Sequence, residues 1–242
     1  MRLVILALVL ICSGCASYVT PGAAVRLQDI DRPDIAAAAA RKASPNFPAR
    51  LAVVRVQAPQ YRSYSGEAYG SGRFSVLTTQ ELLTENHVTA IQAWPSLAGA
   101  VPINRLLLPP RLDSLDDLRL AAAQVQADIM LVYTLDTSFR IQGRGYGPLA
   151  AISLGVLPDR DAYLTSTASA LFIDVRTGFI YGVAESTAKA SGLTNVWSSR
   201  STIDKKRVEA EQQAFDGLMM QAATTWKGIA SQYQAMAGPV GR

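Results

Sequence analysis

The chain has 242 residues, 49% apolar and 17% charged side chains, one histidine and a formal charge of +4. That length is enough to bury a sizeable core in one or two domains. The charges are scattered, the longest basic run being Lys205-Lys206-Arg207, which excludes the dense basic stripe of a nucleic-acid binder. Both cysteines, Cys12 and Cys15, fall at the amino end, so disulfide and thiolate–metal chemistry are closed to the folded part and no cofactor is implied.

Residues 1–14 open with Arg2, run apolar from Leu3 to Ile11 and end in small residues, the order of a secretory signal peptide. The run is about half of the roughly 20 residues that a membrane-spanning helix needs. Ser13-Gly14-Cys15 resembles the lipobox of bacterial lipoproteins, in which cleavage exposes a cysteine that carries lipid; Cys12 stands where an aliphatic residue is usual. The resemblance implies lipidation at Cys15, and loss of Arg2 leaves a charge of +3 (22 basic minus 19 acidic). Ala16 follows, not the aspartate linked to inner-membrane retention in enterobacterial lipoproteins, so the expected location is the cell envelope, facing the periplasm, at the outer membrane. Residues 15–32, with Pro21 and Gly22, read as a lipidated tether.

A single domain is expected over 33–236. Pro33 and the alanines up to Ala40 predict a short helix over 33–43. Residues 51–57 (LAVVRVQ) read as a buried strand and 61–75, rich in Gly, Ser and Tyr, as a long loop. Residues 73–86 suggest a strand turning into a helix, and 88–94 (VTAIQAW) alternate like a strand ending at Pro95. Ser114 with Asp117 three residues on makes a capping box. Leu115, Leu118, Ala122 and Val125 then share a helical face, and from Asp128 the period switches to a strand. Residues 163–192 predict a β-hairpin turning at 174–178, where Gly178 takes a left-handed conformation at no steric cost. Residues 203–236 form a long amphipathic helix, and 237–242 a frayed tail. The fold class is therefore α/β, a mixed sheet of four to five strands packed by helices.

The helix leading into ADIMLVYTLDTSF, the strand pair ALFIDVRTGFIYGVAES and the closing helix are similar to the rhombotarget lipoproteins. More broadly they resemble the envelope domain shared by the curli secretion channel, the penicillin-binding-protein activator lipoproteins and the Tol translocation protein amino-terminal domain. The resemblance spans roughly 49–235 and rests on structural motifs. It implies a membrane-anchored, non-enzymatic module that binds another envelope protein, or alternatively an oligomeric secretion or export component. MAGPVGR lacks the apolar sorting tail of some rhombotarget proteins, and one candidate insertion segment is present where the curli channel uses two hairpins.

That segment is 146–158 (YGPLAAISLGVLP). Its Leu149, Ile152, Leu154 and Val156 either contact membrane or a partner, as exposed apolar patches do, or form a buried connector. Tyr61, Tyr64 and Tyr69 offer a second contact loop, tyrosine being rigid and amphipathic; the other reading is a flexible loop. His87, placed in a loop before a strand, has no cysteine or spaced acid with which to form a metal or acid–base site. Asp113, Asp116 and Asp117 fit helix capping and Asp174 a turn. Gly70–Gly72 and the glycines of 143–147 lack a phosphate loop's strand-to-helix context. No catalytic residue is assigned.

Overall fold

The computed structural model describes residues 24–44, 46–59, 61–63, 67–78, 82–143, 160–194 and 200–236. Strands β1 (Ala49–Gln57), β2 (Ser71–Gly72) and β3 (Ser75–Leu77) follow two short helices, α1 (Leu27–Ile30) and α2 (Ile35–Ala40). Then come α3 (Glu85–Gln92), β4 (Leu97–Pro102), β5 (Arg111–Leu112) and α4 (Leu115–Gln124). Three 15-residue strands, β6 (Ile129–Gly143), β7 (Arg160–Asp174) and β8 (Ile180–Thr194), precede α5 (Arg200–Met236).

A six-stranded mixed sheet carries the fold, in the order β3-β1-β6-β7-β8, with β4 beside the first half of β1. β4 and β6 run parallel to β1, and β6-β7-β8 form an antiparallel meander. Alternate residues of β1 feed two cores, one on each face, as the two-residue strand period requires. Leu51 and Val53 pack with Leu131, Phe172, Phe215 and Trp226 under α5 and α3. Ala52, Val54 and Val56 pack with Met130, Ile173, Leu115 and Leu118 under α4 and α1. The architecture is thus helix–sheet–helix, with helices packed on both faces of a mixed sheet.

The capping box forms as predicted, Asp117 Oδ2 accepting from Ser114 N at 2.9 Å while Ser114 accepts from the Asp117 backbone. The hairpin turns at the expected place, Gly178 adopting φ 71°. α5 lies close on the sheet because small residues meet there: Ala210, Ala214 and Ala222 are fully buried, and a Cβ at Gly217 would overlap Ser186 Oγ.

Four expectations are corrected. Residues 88–92 continue a helix, not a strand, because Thr84 and His87 cap it and Ile91 turns inward. The sheet has six strands because β4, whose Gly, Ala and Pro composition carries no strand signal, is held by parallel pairing to β1. Residues 24–32, expected within a tether, instead pack on the domain: Val25 N donates to Thr134 Oγ1 at 3.3 Å, and Ile30 is buried. Within the 61–75 stretch, the described residues 61–63 and 67–75 take part in β2, the start of β3 and bridges at Arg62–Glu67 and Tyr69–Val76.

Candidate partner-binding surface

The two faces of the β6-β7-β8 meander are treated differently. α5 covers one. On the other, among the described residues, α1 and residues 24–26 form the cover beside an apolar groove of about 280 Å³. Val25, Leu27 and Ile30 form its outer wall, and Val132, Leu171 and Val183 its floor. These floor residues lie on one face because Val132 registers with Leu171, and Leu171 with Val183. Val183 is 65% exposed, an unusual position for a valine in a three-layer fold.

The rim is polar. Ser169 Oγ donates to Glu185 Oε2 at 2.9 Å, and Thr134 Oγ1 donates to Gln57 Oε1 at 3.0 Å. Past the groove the same face continues through Asp136, Thr167, Thr187 and Lys189, the Thr167 and Thr187 hydroxyls meeting at 2.9 Å. A sheet face bearing threonine, serine and scattered charge is soluble without cover, whereas the groove is where apolar side chains from elsewhere could be buried.

Behind the sheet sits a buried charge network. Arg207 donates from Nε to Asp204 Oδ1 at 2.9 Å and from Nη1 to Glu211 Oε2 at 2.7 Å. Arg55 Nη2 lies 3.5 Å from the same Glu211 oxygen, and Thr137 donates to Glu211 Oε1 at 3.0 Å. Burial opposes the Arg207 charge, but the hydrogen bond to Asp204 and the field and hydrogen bond of Glu211 outweigh it, holding the guanidinium above its ordinary pKa. Among the described residues two cations and two anions meet here, and the network fixes where α5 crosses the sheet.

Asp174 is fully buried and saturated. It accepts from the backbone of Arg176 and Thr177 at 2.9 Å, from Ser44 N at 2.8 Å and from Tyr181 Oη at 2.6 Å. Burial first, and then the Asp174 carboxylate, push the Tyr181 phenol well above its usual pKa. This is the turn role expected for Asp174, extended to tie the amino-terminal segment to the hairpin.

His87 stands on α3. Its Nδ1 meets Thr84 N at 3.2 Å and Thr84 Oγ1 at 2.8 Å, and its Nε2 meets Asp216 Oδ1 at 3.1 Å. Hydroxyl, imidazole and carboxylate stand in line, yet the hydroxyl already serves the helix cap, so the arrangement joins α3 to α5. Tyr61 is 2% exposed, its Oη accepting from Arg55 Nη2 at 3.3 Å. Tyr69 is half-buried and donates to Leu108 O at 3.3 Å. Tyr64 lies outside the described residues, as do Cys15, Leu149, Ile152, Leu154 and Val156. The structure therefore turns Tyr61 inward. Among the described residues no cluster of His, Cys, Asp or Glu is arranged to hold a metal ion, and no helix is long and apolar enough to cross a membrane. The groove was missed in the sequence because it depends on the fold of residues 24–30; the spacing of Val25, Leu27 and Ile30 was the available signal.

These features define a mixed α/β sandwich with, among the described residues, an apolar groove on the sheet face opposite α5. Among solved structures it is similar to a lipoprotein from Neisseria meningitidis, at 14% identity over 70% of this chain and 99% of that one, with a TM-score of 0.30. It is also similar to a Xanthomonas campestris protein of the DUF330 family model (12% identity, 90% and 99% covered, TM-score 0.34). A third is the PelC dodecamer from Paraburkholderia phytofirmans (12% identity, 74% and 94% covered, TM-score 0.30). No protein-family model and no curated protein matches the sequence.

Proposed function

We propose that the chain is a lipid-anchored protein of the cell envelope whose α/β domain binds another envelope component without catalysing a reaction. The observation that carries the reading is the short link between Cys15 and the sheet. Val25, whose amide is bonded to Thr134, lies ten positions after Cys15. At about 3.3–3.6 Å per residue the link spans at most about 35 Å. A lipid on Cys15 would therefore hold the groove beside Val25 close to the membrane surface, and several buried acyl chains make such an anchor stable. The groove is the surface offered to a partner, and the apolar 146–158 segment, which follows β6 in the sequence and precedes β7, is a second candidate for that contact. Ala16 favours the outer membrane.

The test is crosslinking in the native envelope followed by mass spectrometry, comparing the natural chain with Cys15→Ser. Anchored binding predicts one defined envelope partner that is lost or strongly reduced in the variant. A partner captured equally by both would contradict it.

A further inference from the structure

β8 ends the sheet, and among the described residues no strand pairs with its outer edge. Thr225 of α5 donates its hydroxyl to Val183 O at 3.4 Å, so the Val183 carbonyl points outward from the sheet. In an antiparallel ladder the N–H and C=O of one residue point the same way and alternate along the strand. Glu185, Thr187 and Lys189 therefore also turn their backbone groups to the open edge. Their side chains are exposed on the face that carries Val183. Lys189 has no ion-pair partner among the described residues, whereas Glu185 uses one oxygen for Ser169. An unprotected edge of this length is a template for another strand.

We infer that this edge pairs with the same edge of a second copy, antiparallel about a two-fold axis at Thr187. The charges select the register. With Thr187 opposite the partner's Thr187, Glu185 faces the partner's Lys189 and Lys189 faces the partner's Glu185, so the surface is self-complementary as a two-fold interface requires. Centring the axis on Glu185 or Lys189 sets like charges opposite each other, and centring it on the residues between loses both pairs. Opposite charges directly across a ladder stabilise it and like charges destabilise it.

The axis is normal to the sheet, so both copies keep the Val25-bearing face on the same side. Two anchors could then enter one membrane, which raises the effective concentration of a modest edge contact. That last point rests on the anchoring proposed above; the interface does not.

Thr187→Cys in the full chain tests the pairing. Directly opposed residues of a hydrogen-bonded pair stand about 5.5 Å apart, within the disulfide range. Mild oxidation in the native envelope is expected to give a disulfide-linked dimer, while Gln213→Cys, exposed on α5, gives none. Adding Lys189→Glu or Glu185→Lys is expected to lower the dimer yield roughly tenfold, and both together to restore it. The inference is overturned if Thr187→Cys crosslinks no better than Gln213→Cys, or if single charge reversals leave the yield unchanged. The same crosslink in a purified Cys15→Ser chain separates the interface from the anchor: its persistence there keeps the pairing even if anchoring fails.

Discussion

Arg207→Met strips the α5 charge network of its central cation. The Arg207, Asp204 and Glu211 side chains are 1%, 7% and 3% exposed, so both carboxylates lose the guanidinium they share in a place that water does not reach, and Glu211 keeps Arg55. Breaking a buried pair from one side costs about 3–5 kcal/mol. For a domain of this size each kcal/mol shifts the melting temperature by about 2–4 °C, which predicts a fall of roughly 6–20 °C. Asp204→Asn combined with Arg207→Met removes one charge of each sign and leaves Arg55 beside Glu211. The double variant should recover at least half of the loss. Thermal unfolding of the full chain followed by circular dichroism reads both values. A single-variant loss below about 1 kcal/mol, or a double variant no more stable than the single one, would show that charge balance is not what seats α5.

The Tyr181 phenol gives a pH signature. Its folded pKa is raised, so the unfolded chain releases this proton first and stability falls as pH climbs past the ordinary tyrosine value near 10. Tyr181→Phe should flatten that alkaline decline in a pH series of melting curves. Asp117→Ala breaks the α4 cap and should cost about 1 kcal/mol, measured by urea unfolding. Replacing Leu149, Ile152 and Leu154 together by Ser should weaken partner recovery or liposome binding while leaving the melting temperature in place; a large drop in stability would instead mark the segment as a buried connector.

What the sequence displays is whatever local chemistry dictates. Ser114 and Asp117 announce α4 because a cap is a short-range bond, and the Asp174–Gly178 turn announces the hairpin because a positive φ needs glycine. α5 is visible through the spacing of Phe215, Leu218, Ala222 and Trp226. α3 reads as a strand because Val88-Thr89-Ala90-Ile91 alternates; the contrary signal, Thr84 followed three residues later by His87, is a capping box with an unusual third member. β4 is invisible because Leu97-Ala98-Gly99-Ala100 has no strand preference of its own and owes its conformation to β1. The burial of Arg207 and Glu211 is equally hidden. On a helix, charges three and four apart look like a solvated face, and only the position of Arg55 across the sheet turns them into a core. The groove depends on residues 24–30 folding back onto β6, a tertiary event that a stretch with Pro21 and Gly22 just before it does not suggest.

The anchor at Cys15 is the claim on which the proposed function stands, and metabolic labelling with palmitate tests it most directly. The full chain should incorporate label and partition with membranes, and Cys15→Ser should do neither. Label retained by Cys15→Ser, or none in the natural chain, would contradict it.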